Sequence, residues 1–186
     1  MHSIKREFVE ICKLLYERGL ARAWGGNVSV RKGKNHIVIT PRGTSLLDVS
    51  LDNLVVTTLD EEIVSEGIPS TELPMHSAIY RARPDIEAIV HIHPQFSTVF
   101  AILEKPIELL TAESRIILGE LPIVEYAEPG SKKLAELVAS SLKEIKACIL
   151  TRHGIVAGGS SLKDAFYLAE LVETEATLNF FIKSIR

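Results

Sequence analysis

Two short alternating segments near the amino terminus constrain the fold more than any other feature of the sequence. NVSVR (27–31) and HIVIT (36–40) each alternate apolar and polar residues, and the turn-forming stretch KGKN separates them. Alternation with a period of two is typical of strands, and a short polar turn between two such strands indicates a β-hairpin. A hairpin puts antiparallel strands into the sheet, so the sequence disfavours a purely parallel α/β sheet.

Helical segments alternate with the other predicted strands. Residues 4–18 place Phe8, Ile11 and Leu15 on one face at helical spacing, and Gly19 ends this helix. The remaining predicted elements are strands at 54–59, 85–93, around Leu109, around Ile123 and at 147–152, and helices at 74–82, from 95 to about 103, at 132–144 and from Leu162 onward. We therefore predict an α/β fold of the α+β type, with helices flanking a mixed sheet.

Length and composition exclude several classes of protein. The 186 residues fit one domain, which we place at 1–186, and they can bury a sizeable core. The net charge of −3 comes from interspersed charges without a basic stripe, so we expect no nucleic-acid partner. Cys12 and Cys148 are too few for a disulfide framework, which favours a reducing, cytoplasmic setting. No segment approaches the ~18 apolar residues of a membrane span.

Three histidines form the strongest candidate metal site. In HIHP, His91 and His93 are two residues apart on a strand, so both rings project from the same face. The pair alone does not establish a metal site, because strand ends often carry polar side chains. His153 in TRHG also follows an apolar strand and would occupy the same rim if the two strands are neighbours. Three histidines that leave one coordination position open are typical of a catalytic zinc site. We therefore predict a divalent metal, with zinc as the first candidate.

A carboxylate close to a predicted helix is the fourth candidate ligand. Glu72 lies in a loop just before a helix, where a negative charge is stabilised. His76 follows four residues later, and the two would share a face if the helix began early enough. This alternative ligand pair ranks below His153, because Pro74 favours a helix start that leaves Glu72 outside the helical register.

Three loops rich in small residues are candidate anion sites. GGNVS, TPRGTS and PSTE combine hydroxyl or amide side chains with glycines or a proline, and bare glycine backbone allows a ligand to approach closely. Arg42 adds a cationic donor whose fork geometry suits phosphate. Each loop alone is weak evidence, because glycine, serine and threonine are also ordinary turn formers. Together they predict a phosphate cradle.

The order of these motifs resembles that of a known family. GGNVSVR, ITPRG, PSTELPMH, IVHIHP and TRHG, taken in this order, are similar to the motifs of the class II aldolase/adducin family, and within it to those of the fuculose-phosphate aldolases. The resemblance implies a single-domain three-layer αβα fold with a central, largely antiparallel sheet. It also implies a homotetramer whose active sites lie between subunits.

The resemblance assigns roles to individual residues. His91, His93 and His153 match the ligands of one zinc ion per subunit, although other divalent metals are possible. Glu72 matches the carboxylate that binds the resting metal and serves as the catalytic acid/base. The residues that match phosphate contacts are Asn27, Gly43, Ser70 and Thr71, with Arg42 standing where related enzymes have threonine.

Two departures from the family pattern concern the far end of the substrate. The family's catalytic tyrosine, which a neighbouring subunit supplies, aligns with Thr111, and Glu113 is the nearby candidate for a second acid/base. The family's carboxyl-terminal tail, which closes over the aldehyde half of the substrate, has no counterpart after the last predicted helix. We therefore expect the aldehyde specificity to differ.

The resemblance implies a carbon–carbon lyase. Such an enzyme reversibly cleaves a ketose 1-phosphate, similar to L-fuculose 1-phosphate, into dihydroxyacetone phosphate and an aldehyde such as lactaldehyde through a metal-stabilised enediolate. Related members are sugar-phosphate epimerases, which carry aspartate in place of Glu72, and methylthioribulose-phosphate dehydratases. A non-catalytic adducin-like interaction module is a further alternative, which the retained histidines disfavour.

Overall fold

Residues 2–185 fold into six α-helices and one seven-stranded sheet. A computed structural model describes the backbone of residues 2–185 and the side chains of residues 5–185. The helices are α1 (His2–Glu17), α2 (Leu73–Ala82), α3 (Gln95–Leu103), α4 (Ala112–Leu118), α5 (Lys132–Ser141) and α6 (Leu162–Ile185). The strands are β1 (Asn27–Lys32), β2 (His36–Ile39), β3 (Val55–Thr58), β4 (Ala88–Ile92), β5 (Ile123–Val124), β6 (Ala147–Leu150) and β7 (Gly154–Gly159).

The sheet is mixed and largely antiparallel, as predicted. Its strand order is β3-β2-β1-β4-β7-β6-β5, and every neighbouring pair is antiparallel except β5 with β6. The predicted hairpin is confirmed, with Ser29 of β1 opposite Ile39 of β2. Strand β4 is buried along its whole length between β1 and β7, so its carboxyl end is fixed from both sides.

Helices cover both faces of the sheet, which confirms the three-layer arrangement. Val28 and Val30 of β1 belong to the apolar core under α1, α3 and α6. Their neighbours Asn27 and Ser29 point to the opposite face, because successive strand residues alternate. That second face packs against α2 and α5, whose buried residues include Ile79 and Val138. The functional residues described below lie on the face that α2 covers.

Three features of the carboxyl half differ from the prediction. The strand expected around Leu109 is absent, because the backbone N–H groups of Leu110 and Thr111 donate to the Glu175 carboxylate on α6 instead of to a strand. Helix α4 follows directly and was not predicted. Strand β7 was also missed, since its sequence GIVAGG lacks alternation. It needs glycine at Gly159, where a Cβ would lie 2.4 Å from the backbone nitrogen of Ala165.

The two cysteines lie in apolar surroundings, as the sequence predicts. Cys12 and Cys148 are free and buried in the two apolar cores, where they act as small hydrophobic side chains. Among residues 2–185, no helix combines the length and apolar character that would let it span a membrane.

Candidate metal centre

Three histidines meet where strand β4 ends and its neighbour β7 begins. His91 belongs to β4, His93 lies just beyond its carboxyl end, and His153 lies in the turn that leads into β7. Strands β4 and β7 are antiparallel, with Ile92 opposite Ile155. The end of β4 therefore meets the start of β7, which confirms the expectation that both histidine motifs share one rim of the sheet.

The distances between the ring nitrogens suit a single shared cation. The Nε2 atom of His91 lies 3.1 Å from Nε2 of His93 and 3.3 Å from Nε2 of His153. The candidate ligand atoms of all three rings lie within 4.8 Å of one another. Tetrahedral zinc with bonds of about 2.0–2.1 Å to nitrogen requires ligand nitrogens about 3.3–3.4 Å apart. The two separations from His91 are close to this requirement.

The protonation of the rings also favours metal binding. The Nδ1 atom of His91 lies 2.8 Å from the Ile155 carbonyl oxygen, to which it donates, so Nε2 presents its lone pair to the other rings. Burial lowers the pKa of His91 well below its usual value and lowers the pKa of His93 to about 4, with the nearby histidines adding to both effects. Burial likewise lowers the pKa of His153. Neutral imidazoles are the form that binds metal ions, so the residues fit a divalent cation.

Glycines allow the backbone to pack tightly around the histidines. A Cβ on Gly154 would lie 2.4 Å from the Ile92 carbonyl oxygen and 2.6 Å from Cδ2 of His93. Gly26 has a φ of +92°, and a Cβ there would lie 2.9 Å from the His91 carbonyl oxygen. Any larger residue at either position would displace a candidate ligand.

Glu72 lies in the same cavity as the histidines. It is the N-cap residue of α2, is only 3% exposed, and its Oε2 atom has no hydrogen-bond partner within the described residues. Burial raises the pKa of Glu72, while a hydrogen bond from the Gly130 backbone opposes this effect. The cluster of candidate ligand atoms contains the three histidines and not this carboxylate. Metal binding by Glu72 therefore stays a prediction.

The cavity has a volume of about 190 Å³ and contacts every predicted site residue except Glu113. Its lining residues are Trp24, Gly26, Asn27, Pro41, Arg42, Gly43, Thr44, Ser70, Thr71, Glu72, His91, His93, Pro129 and His153. The structure thus brings the three candidate anion loops and the histidines together around one space.

Two of the anion loops are joined to each other. Pro41 and Pro69 form an isolated β-bridge, and the Arg42 backbone N–H donates to the Ile68 carbonyl over 2.9 Å. The Ser70 backbone N–H donates to the Thr40 carbonyl over 3.1 Å. Gly43 adopts a φ of +66°, which lets its loop turn beside the cavity. Arg42 and Thr71 are exposed at the rim, whereas Ser70 is buried.

His76 does not form the alternative ligand pair with Glu72. Its ring is fully buried, with Nδ1 2.6 Å from Ser29 Oγ and Nε2 2.6 Å from Asn27 Oδ1. Burial lowers the pKa of His76 to about 3, so the ring is neutral. The structure gives His76 a place in a buried hydrogen-bonded network, which the sequence analysis did not foresee.

Thr111 and Glu113 lie away from the histidines within one chain. The Thr111 hydroxyl caps α4 by accepting a hydrogen bond from the Ser114 N–H, and it donates to Glu175 over 2.6 Å. Glu113 lines a separate surface cavity together with Arg18. A role for Glu113 would require a neighbouring subunit and stays a prediction.

Among the residues that line the cavity, the sequence analysis did not select Trp24, Thr44 or Pro129. Trp24 is 75% exposed at the rim, although an exposed tryptophan beside two glycines is itself a signal of a binding surface. Thr44 belongs to the predicted loop TPRGTS but was not selected, because a threonine next to a loop glycine is usually an ordinary turn residue.

A three-layer αβα fold with a neutral three-histidine centre at the sheet rim defines a metal-dependent enzyme of the class II aldolase type. The chain belongs to the class II aldolase/adducin family, since the family model described as "Class II Aldolase and Adducin N-terminal domain" matches residues 6–180. The arrangement of the three histidines is consistent with the divalent-metal site typical of class II aldolases.

Relatives named for two different activities are similar to this chain over nearly its whole length. An L-fuculose phosphate aldolase of Methanococcus maripaludis is 38% identical over 96% of this chain and 97% of its own length. A 3-oxo-tetronate 4-phosphate decarboxylase of Haemophilus influenzae is 33% identical over 96% of this chain and 88% of its own length. The solved L-fuculose-1-phosphate aldolase of Thermus thermophilus superposes with a TM-score of 0.89 and 27% identity, over 98% of this chain and 95% of that one.

Proposed function

We propose that this chain is a zinc-dependent aldolase that reversibly cleaves a ketose 1-phosphate, similar to L-fuculose 1-phosphate, into dihydroxyacetone phosphate and an aldehyde such as lactaldehyde. The observation that carries the proposal is the shared cavity, in which the histidine cluster faces the predicted anion loops. The fuculose-phosphate aldolase relatives support the substrate class.

The metal would be held by His91, His93 and His153. Nitrogen ligands at this spacing suit zinc, and three protein ligands leave a position for substrate. When bound, a divalent cation supplies Lewis-acid stabilisation of negative charge on the substrate oxygens.

The anion loops would bind the substrate phosphate. The amide of Asn27 and the hydroxyls of Ser70 and Thr71 offer neutral donors, while Arg42 offers a cationic donor at the rim. Gly43 leaves open space beside its backbone, since a Cβ there would meet no atom within 4 Å. These groups would fix the phosphate so that the carbonyl end of the substrate faces the histidines.

Glu72 would transfer the proton at carbon. In the cleavage direction, the bond between C3 and C4 breaks, the aldehyde leaves, and the electron pair remains on the phosphate-bearing fragment. Protonated Glu72 then gives its proton to C3, and in the reverse direction its carboxylate removes that proton. Burial raises the pKa of Glu72, which suits a group that must hold and release a proton. A second base takes the C4 hydroxyl proton, and Glu113 of a neighbouring subunit is our candidate.

A homotetramer would complete the site. The cavity of about 190 Å³ in one chain is smaller than the ~300–1,000 Å³ of typical ligand pockets. Trp24 stands exposed at its rim, where another subunit can pack. A neighbouring chain would therefore supply the wall that contacts the aldehyde half of the substrate.

A decarboxylase is the second candidate function, and the position of Thr111 favours it. Loss of carbon dioxide from a 3-oxo acid breaks a carbon–carbon bond and leaves its electron pair next to the carbonyl, without removal of a hydroxyl proton. Glu72 would then protonate that carbon, and no second base would be needed. Thr111, which aligns with the family's tyrosine, is engaged with Glu175 and Ser114. The decarboxylase relative supports the same reading.

One assay separates the two candidates. The zinc-loaded protein is incubated with L-fuculose 1-phosphate and, separately, with 3-oxo-tetronate 4-phosphate, and dihydroxyacetone phosphate and carbon dioxide are measured. We expect dihydroxyacetone phosphate from the first substrate and none from His153→Ala. Carbon dioxide release from the second substrate, without cleavage of the first, would assign the decarboxylase. Turnover of neither substrate would refute both.

A further inference from the structure

A buried chain of hydrogen bonds leads from helix α2 to the substrate cavity. The Tyr80 hydroxyl lies 2.9 Å from Ser29 Oγ, and Ser29 Oγ lies 2.6 Å from His76 Nδ1. The opposite nitrogen of His76 lies 2.6 Å from Oδ1 of Asn27. Tyr80, Ser29 and His76 are each 1% exposed or less. Of the four residues, only Asn27, the last in this series of hydrogen bonds, lines the cavity.

The buried phenol sets the direction of this chain. Ser29 Oγ is the side-chain partner of the Tyr80 hydroxyl, and the Ile89 backbone donates to the phenol oxygen, so Ser29 is the acceptor for the phenol proton. A buried hydroxyl proton needs an acceptor, so Tyr80 donates to Ser29. Ser29 must then give its own proton to His76 Nδ1, which leaves the proton of the neutral ring on Nε2. That nitrogen donates to an acceptor, and the acceptor is Asn27 Oδ1.

This direction determines which end of the Asn27 amide meets a ligand. With Oδ1 engaged by His76, the amide NH2 group is left on the cavity side, where no described residue accepts a hydrogen bond from it. Asn27 is only 6% exposed, so the ring and the surrounding strands hold the amide in place. The opposite direction would present a carbonyl oxygen to the cavity and would repel an anion.

We propose that His76 is a positioning residue, which fixes the Asn27 amide with its NH2 group facing the cavity and so makes this wall of the site selective for an anionic group of the substrate. The proposal deepens the proposed function and rests on it for the identity of that anion as a phosphate. His76 itself touches neither the substrate nor the metal. Tyr80 and Ser29 set the tautomer of the ring through the hydrogen bond to Nδ1, on the side opposite Asn27.

The tautomer can be measured in the unaltered holoenzyme. In zinc-loaded protein labelled with 15N-histidine, NMR distinguishes a protonated ring nitrogen from an unprotonated one, and the His76 signals are those that His76→Gln lacks. We expect a neutral His76 ring with its proton on Nε2. A proton on Nδ1 would overturn the proposal. This measurement does not depend on any substrate, so it is separate from the test of the aldolase reaction.

Substitutions test the effect on anion binding. His76→Gln should retain affinity for dihydroxyacetone phosphate, because its amide can donate to Asn27 and accept from Ser29 in the same direction. His76→Met removes both hydrogen bonds and should weaken that affinity about five- to tenfold, as expected for the loss of one net hydrogen bond. Zinc content and binding of unphosphorylated dihydroxyacetone should stay unchanged, which a general structural defect would not allow.

The outcomes separate this proposal from the proposed function. Wild-type affinity for dihydroxyacetone phosphate in His76→Met, or loss of zinc together with that affinity, would overturn the positioning role. If His76→Met does not fold, Tyr80→Phe replaces it and should produce a mixture of the two His76 tautomers. An unchanged single tautomer there would overturn the argument. Failure of the wild-type protein to bind dihydroxyacetone phosphate would instead refute the proposed function.

Discussion

Asn27 lies directly opposite His91 on the neighbouring antiparallel strands β1 and β4. Side chains of directly opposed residues project from the same face about 4.5–5.5 Å apart at their Cβ atoms. The backbone ladder of the sheet therefore holds a candidate hydrogen-bond donor to an anion beside a candidate metal ligand. Under the proposed function, the substrate would carry its anionic group close to the oxygen that meets the metal, as a small sugar phosphate does.

The histidine cluster gives the first prediction. His91→Ala, His93→Ala and His153→Ala should each greatly reduce the zinc content, because each removes one of three protein ligands. Zinc per chain is measured by metal analysis after dialysis. His36→Ala on β2 is the matched control and should keep wild-type zinc content. Unchanged zinc in all three variants would rule out this metal centre.

The second prediction concerns the buried carboxylate. Glu72→Gln should keep zinc but abolish exchange of the hydroxymethyl proton of dihydroxyacetone phosphate with solvent, because an amide cannot accept that proton. The exchange is followed by proton NMR in deuterium oxide. Exchange at the wild-type rate would remove Glu72 from the mechanism, and loss of zinc would show that Glu72 acts chiefly as a ligand.

The third prediction tests the phosphate cradle. Thr71→Val keeps the side-chain shape without the hydroxyl, and Asn27→Ala removes the amide on the second loop. Each should weaken binding of dihydroxyacetone phosphate roughly ten- to a hundredfold, since a hydrogen bond to a charged group contributes about 1.5–3 kcal/mol. Unphosphorylated dihydroxyacetone is the control ligand and should bind as before. Equal losses for both ligands would indicate damage to the fold or to the metal site.

The fourth prediction concerns the start of α3, directly after His93 and Pro94. The Glu173 carboxylate on α6 accepts hydrogen bonds from the N–H groups of Phe96 and Ser97 and from the Ser97 hydroxyl, over 2.6–2.9 Å. Glu173→Gln should lower the free energy of unfolding by about 1–2 kcal/mol, in the range of a lost helix cap. It should also weaken zinc binding by loosening the adjacent His93.

Urea unfolding and a zinc competition titration measure these two effects. Glu170→Gln on the same helix is the control, because Glu170 pairs with Arg18 near the surface and not with α3. Its stability should change by less than about 1 kcal/mol, as is usual for a partly exposed ion pair. Equal effects of the two substitutions would contradict a specific role for Glu173.

The fifth prediction is a loss of stability in mild acid. Burial lowers the pKa of His76 to about 3 and that of His93 to about 4, whereas an unfolded histidine titrates near 6.5. Between about pH 6.5 and pH 4 the unfolded chain therefore binds protons that the folded chain does not. The free energy of unfolding should fall as the pH is lowered through this window. The raised pKa of Glu72 acts in the opposite direction and reduces the slope.

Urea unfolding of the metal-free protein at about pH 7 and about pH 4.5 tests this dependence. We expect a lower unfolding midpoint at the lower pH. His76→Gln should flatten the dependence, because the variant lacks one of the buried titrating rings. A midpoint that rises on acidification, or an unchanged slope in His76→Gln, would contradict the assignment.

Most of the sheet could be predicted from the sequence because its strands carry clear local patterns. The hairpin of β1 and β2 follows from alternation around a polar turn, and β4 follows from an apolar run that ends at Pro94. Strand β7 could not be predicted in this way. Its glycines are required by contacts with β4 and α6, which are far away in sequence.

The candidate site shows the same division between local and distant information. The histidine motifs could be found because strand spacing puts two rings on one face, and the third ring follows another apolar strand. The role of His76 could not be found, because it depends on Ser29 and Asn27, which are 47 and 49 residues away in the chain. Residues that act through a folded neighbour leave no spacing pattern in the sequence.

The candidate metal ligands and the anion loops are anchored in different ways. Strands β4 and β7 fix the histidines through their ladders, whereas the loops around Arg42 and Ser70 join each other through the bridge between Pro41 and Pro69. Loop residues other than Glu72 can therefore change while the histidine cluster at the sheet rim is kept. This separation makes the scaffold evolvable, so that new substrates can arise within one lineage without a new reaction centre.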